Sequence, residues 1–113
     1  MNAPLIIPEL VSLDADLGST KAEVITSVAG IIARAGRADA RGLTHDALDR
    51  ESKSPTGMPG GFAIPHCRSA AVSQPSLGFA RLSPTVDFNG PDGPADLVFM
   101  IAASENGGAD HMN

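Results

Sequence analysis

The sequence has no tryptophan, no tyrosine and only four phenylalanines among its 113 residues. Proteins that read single-stranded nucleic acid stack bases on aromatic rings, so that class is poorly supplied here. A basic stripe is also missing. Eight Lys and Arg are outnumbered by thirteen Asp and Glu, for a net charge of −5. Binding a polyphosphate backbone requires clustered positive charge, so no nucleic-acid partner is expected. The single cysteine, Cys67, excludes an internal disulfide and any paired-cysteine zinc site. No apolar run approaches the ~20 residues a spanning helix needs, so no direct membrane insertion is expected. The opening MNAPLIIPEL lacks the basic start and long apolar stretch of a secretory signal. A lone thiol and no such signal are compatible with a reducing, cytoplasmic setting.

What is present is an ordinary globular composition, 42% hydrophobic and 19% charged. The length fits one domain, spanning 1–113, that can bury a core without staples. Residues 5–13 are apolar but interrupted by Pro8, which suits an edge strand or an extended entry segment. Thr20 and Glu23 form a capping box, and Val24, Ile25, Val28, Ile31, Ile32 and Ala35 recur at helical spacing. A helix over about 20–35 follows, ended by Gly36 as a left-handed cap. A second helix is expected over about 45–53, with Thr44 as N-cap, Leu43 and Leu48 as a hydrophobic staple and Pro55 forbidding continuation.

Residues 54–61 (SPTGMPGG) read as a loop, followed by the short apolar run that ends at His66. Residues 77–82 read as a strand, with a possible short strand at Val86–Phe88 in the turn-rich stretch 84–95. The continuous apolar run 96–103 reads as a strand buried on both faces. Helices mixed with strands indicate an α/β layered fold. The closing SENGGADHMN should introduce another helix at Asp110, and the chain stops there.

Three histidines are available. His66 follows Ala63-Ile64-Pro65, and Pro65 biases Ile64 towards extended geometry, so the ring can be held at the mouth of a strand. Gly57, Gly60 and Gly61 allow close backbone approach to a ligand. A neutral imidazole is a competent nucleophile towards phosphorus near neutral pH. On these residues alone, a core or surface histidine in a turn explains the pattern better. Cys67 should point away from His66 in a strand and reads as a small buried thiol. His45 reads as solvated in the first turn of the second helix. GMPGG lacks the Lys-Ser/Thr ending of a nucleotide-binding loop. Asp14, Asp16, Asp87 and Asp92 have no calcium-loop spacing.

Residues 50–67, RESKSPTGMPGGFAIPHC, resemble the active-site segment of the fructose/mannitol family of enzyme IIA domains of the sugar phosphotransferase system. The matching positions are Arg50-Glu51, Ser54, Thr56-Gly57, Gly60-Gly61 and Ala63-Ile64-Pro65-His66. VSLDADLGSTKAEVI resembles the family's opening strand and first helix, and PADLVFMIAASENGGADHM its last strand and second histidine. Pro59 and Phe62 depart from the pattern. Members usually continue into helices that cover the sheet, so the resemblance implies a single domain lacking those C-terminal helices.

The resemblance implies a mixed central sheet of about five strands flanked by helices. It implies a phosphoenolpyruvate-dependent phosphocarrier of the fructose type in which His66 accepts a phosphoryl group from HPr or an HPr-like domain, as tele-phosphohistidine. His66 then passes the group to enzyme IIB, with the membrane enzyme IIC involved indirectly. Arg50 and His111 would attend the phosphoryl group, and Thr56 and Gly57 would bind its oxygens. Glu51 would orient Arg50 or face water. No cofactor and no metal are implied. A regulatory phosphocarrier of the same fold, acting on partner proteins without moving sugar, shares the same motif. A metal site from His66, Cys67 and His111 is disfavoured, because adjacent His and Cys chelate poorly.

Overall fold

The computed structural model describes residues 3–105. The chain enters through Leu5, whose carbonyl accepts from the Leu77 N–H at 2.8 Å, and makes one 3-10 turn at Pro8–Leu10. Strand β1 (Val11–Ala15) follows at one edge of the sheet, as the proline-interrupted run suggests.

Helix α1 covers Lys21–Arg34. Its start is the expected capping box: Thr20 accepts from the Glu23 N–H, and Glu23 returns the bond to the Thr20 N–H. Its end is a Schellman motif around Gly36. The Arg37 N–H bonds back to the Ile32 carbonyl at 3.2 Å, and the Gly36 N–H to the Ala33 carbonyl at 2.9 Å. Val24, Ile25, Val28, Ala29 and Ile32 are its buried stripe.

Helix α2 covers Ala40–Lys53, five residues longer at its start than expected. The N-cap is Asp39, whose carboxylate accepts from the Gly42 N–H at 2.8 Å, so Thr44 lies inside the helix. The C-terminal end falls at Lys53, before Pro55, as expected.

The loop 54–61 carries β2 (Gly57–Met58), which turns back against β3 (Phe62–Ala63). Strand β4 is His66–Ser69, β5 is Ser76–Val86 and β6 is Ala95–Ser104. The sheet runs β1-β5-β6-β3-β2, and β4 joins β6 alongside β3. β5 and β6 are antiparallel, whereas β1 on β5, and β3 and β4 on β6, are parallel. The sheet is therefore mixed, six strands in five positions across. Of the expected strand at 86–88, only Val86 is in a strand, as the last residue of β5; Asp87 and Phe88 lie beyond it. Its ladder with β6 shifts register after Arg81 and resumes at Val86 opposite Ala95.

Both helices lie on one face. There, α1 packs on β5, α2 packs on β4, and Val98, Met100 and Ala102 of β6 are buried. The other face carries Leu97, Phe99 and Ile101, the last 44% exposed. Phe99 stacks between Phe62, edge-on at 6.0 Å, and Phe79 at 5.1 Å. β6 is thus buried on one face only among the described residues, which corrects the two-sided expectation. A continuous apolar run has no period, so it cannot report a half-open face.

Candidate active site

His66 opens β4, opposite Ile101 of β6. Pro65 before it is buried, and its carbonyl accepts from the Ile101 N–H at 2.9 Å. The ring is half-buried, and its Nδ1 lies 2.9 Å from the Ile64 carbonyl oxygen. A carbonyl can only accept, so Nδ1 carries the proton. In the neutral ring this leaves the lone pair on Nε2. The strand end therefore fixes the tautomer, with the proton on Nδ1 and Nε2 as the distal nitrogen.

Cys67 and Ser69 alternate to the helix face and are buried beneath α2. Burial pushes the Cys67 thiol up to about 11, with the charge of Asp46 adding to the shift. That matches the reading of a structural thiol. The Ser69 hydroxyl donates to Asp46 at 2.5 Å and accepts from the Ala71 N–H at 3.0 Å. This clamp ties α2 to the end of β4. The Ser69 bond is the main cause holding the Asp46 carboxyl below its ordinary range, and His45 is the second. His45 is exposed at 79% and paired with Asp46, inside α2 rather than at its first turn.

Arg50 stands one helical turn after Asp46. Its guanidinium donates to the Ser54 carbonyl at 3.1 Å and lines a cleft of about 340 Å³. Asp46, Asp49 and Lys53 of α2 share that cleft with Cys67 and Arg68 of β4. Arg50 is thus brought beside the strand that carries His66. No hydrogen bond joins the two side chains among the described residues. His111, expected to attend the phosphoryl group, lies outside the described residues.

Thr56 is buried, and both its donors go to Glu51. The backbone N–H reaches Oε2 at 2.8 Å and the hydroxyl reaches Oε1 at 2.7 Å. The Gly57 N–H donates to the Phe88 carbonyl at 3.2 Å. A Cβ at Gly57 would lie 2.4 Å from that oxygen and 2.5 Å from the Gly90 nitrogen, so only glycine fits. The donors expected to hold phosphate oxygens are therefore engaged in holding the loop.

Glu51 neither orients Arg50 nor faces water. It is 3% exposed and receives Thr56 and, at 3.5 Å, Lys21 Nζ. Lys21 also donates to Asn89 Oδ1 at 2.6 Å. Sequence reasoning passed over this hub, although Leu43, Ala47 and Glu51 form an i, i+4, i+8 stripe that all proves buried. The four aspartates read as loop carboxylates all have partners. Asp14 pairs with Arg81 at 2.8 Å, Asp16 and Asp87 accept backbone N–H groups two residues on, and Asp92 accepts from the Gly60 N–H. Among the described residues, no three of His, Cys, Asp and Glu gather to hold a metal. No helix there is long and apolar enough to cross a membrane.

A histidine held at a strand end by its own backbone, in a mixed sheet with two helices on one face, is the arrangement that comparison with known proteins places in a family. Residues 5–113 match the family described as phosphoenolpyruvate-dependent sugar phosphotransferase system, EIIA 2, and the chain belongs to that family. It is 41% identical over 106 residues to a PTS system fructose-specific EIIA component of Haloferax volcanii, covering 92% of this chain and 68% of that protein. It is 34% identical over 109 residues to a nitrogen regulatory protein of Bradyrhizobium diazoefficiens, covering 96% and 71%. Its fold is similar to that of the nitrogen regulatory protein IIA-Ntr from Neisseria meningitidis, with a TM-score of 0.78 at 31% identity over 96% of this chain and 73% of that one. The chain is accordingly a phosphotransferase component of the EIIA type.

Proposed function

We propose that His66 is the phosphoryl acceptor, and that the chain carries the group from phospho-HPr, or an HPr-like domain, to enzyme IIB in the cytoplasm. The end result is uptake and phosphorylation of fructose or a related sugar or polyol. The bond from Nδ1 to the Ile64 carbonyl carries this reading. It leaves the Nε2 lone pair to attack phosphorus while the Nδ1 proton stays against the carbonyl. The P–N bond to the donor's histidine breaks, and its electron pair stays with the donor. In the second transfer a thiolate of enzyme IIB attacks the same phosphorus, and the P–N bond to His66 breaks in turn.

Such a transition state is loose, with charge spread over three oxygens, so positioned donors do most of the work. Arg50 supplies a fork of donors suited to those oxygens, only one of which is engaged by Ser54. His111 supplies a further donor. Thr56 and Gly57 act by holding the loop, or as oxygen donors where their present bonds exchange.

Incubation with phosphoenolpyruvate, enzyme I and HPr should add one phosphoryl group by intact mass. The group should be acid-labile, as phosphohistidine is, and absent in His66→Ala. A folded chain that takes no label would sink this reading. The likeness to nitrogen regulatory proteins supports a second role, in which phosphorylation alters partner binding and no sugar moves. Adding a fructose-type enzyme IIB separates the two: rapid loss of the label marks transport, and a persistent label marks regulation.

A further inference from the structure

We infer that Glu51 is a positioning residue for phosphoryl transfer, acting on His66 through three hydrogen bonds linked by Thr56 and Ile64. The inference rests on the reading of His66 given above. The Thr56 N–H donates to Glu51 Oε2 at 2.8 Å. The Ile64 N–H donates to the Thr56 carbonyl at 3.1 Å. His66 Nδ1 donates to the Ile64 carbonyl at 2.9 Å. Each residue receives one bond at its N–H or carbonyl and gives the next at its other group, so the buried carboxylate bears on where the last carbonyl points.

The linkage matters because both Thr56 and Ile64 sit between elements, where no helix or strand ladder claims their N–H groups. Thr56 lies between the end of α2 at Lys53 and the start of β2 at Gly57, outside both ladders. Ile64 lies between β3, which ends at Ala63, and β4, which begins at His66. Pro65 has no N–H to anchor the segment, and only its carbonyl is tied to β6. Thr56 is thus held on both sides, its N–H by Glu51 and its carbonyl's peptide by the Gly57 bond to Phe88, and Glu51 is the side-chain half of that grip on Ile64. The Thr56 hydroxyl, donating to Oε1 at 2.7 Å, makes the carboxylate grip two-pronged. Lys21 Nζ at 3.5 Å faces the same carboxylate and is itself fixed by Asn89, so the hub ties α1 to the site loop. The tautomer of a histidine is set by the bond its other nitrogen makes. A loosened Ile64 carbonyl would free the proton to move to Nε2 and block the nucleophile.

The test reads the ring directly. Nitrogen-15 spectra of the full chain, at a pH where His66 is neutral, should show the Nδ1–H form in the wild type. Glu51→Asp draws the carboxylate back by one methylene and cannot reach both Thr56 donors. It should give a mixture of tautomers and lower kcat for phosphorylation roughly ten-fold, the low end for outer partners of a functional histidine. The KM for phospho-HPr should not change. Thr56→Val keeps the side-chain volume but removes one prong, and should shift both readouts in the same direction by a smaller factor. Glu51→Gln should restore both, since its Oε1 accepts from the Thr56 N–H and its amide donates to the Thr56 hydroxyl. Wild-type tautomer and kcat in folded Glu51→Asp overturn the inference, as does a Glu51→Gln ring as mixed as that of Glu51→Asp. If Glu51→Asp does not fold, Thr56→Val decides by the same readouts. A wild type that accepts no phosphoryl group would fail the functional reading, while the tautomers would still decide the positioning.

Discussion

Glu51 and Arg50 are adjacent in sequence and opposite in fate. Arg50 stays at the cleft wall, and Glu51 turns under the helix because it falls on the Leu43–Ala47 stripe. A carboxylate is buried only where donors replace water, and the two from Thr56 do so. The same logic governs Ser69, whose hydroxyl serves Asp46 and Ala71 at once. Ser69→Ala should lower stability by about 1–3 kcal/mol, because the Ala71 N–H loses its partner and Asp46 its donor. Denaturant melts of the two proteins check this. Cys67 should be nearly inert. A thiol moved from 9.0 to about 11 has about a hundred-fold less thiolate below pH 8. Iodoacetamide at pH 8 should label it slowly in the native chain and rapidly in denaturant.

At the scale of elements, the two helices show when local signals suffice. The capping box and apolar stripe of α1 lie within one stretch of sequence, and the helix begins and ends where they say. The start of α2 is hidden by Gly42, a poor helix former four residues into the chain of Asp39-Ala40-Arg41-Gly42. That glycine is there for packing, since a Cβ would meet the Ala71 side chain at 2.7 Å. Asp39 is therefore the functioning cap. Asp39→Ala should cost about 1 kcal/mol. Thr44→Ala should stay within about 0.5 kcal/mol, as for a substitution away from any cap. Thermal unfolding of both variants separates the two placements. Reversed values would restore Thr44 as the cap.

At the scale of the whole molecule, carboxylates held by a charge pair or by hydrogen bonds shape the response to acid. Asp14 is held below its ordinary 3.8 by Arg81, 67 residues away. Asp46 is lowered from 3.8 chiefly by Ser69, and Glu23 from 4.5 chiefly by the Ser19 backbone. In each case the folded value lies below the unfolded one. The stability they contribute is complete above the unfolded value and is lost as pH falls through the folded one. Stability should be level through neutral pH in respect of these groups and decline below about pH 4. A denaturant midpoint that did not fall between pH 5 and pH 3 would contradict this.

The sequence by itself determined the local structure around His66 and the start and end of the first helix. Short-range signals such as the Pro65-His66 step, the capping box and the Pro55 stop act within one turn or one strand. What only the tertiary structure decided is pairing. β3 and β4 share one side of β6, three of the four phenylalanines gather on the sheet face opposite the helices, and β5 runs on past Pro84 to Val86. The destination of the Thr56 and Gly57 donors was decided in the same way. Those groups are free in sequence and become engaged only when the chain turns Thr56 back onto Glu51, five residues earlier, and brings Phe88 against Gly57. A backbone donor goes to whichever acceptor the fold brings within reach, and sequence spacing does not carry that distance.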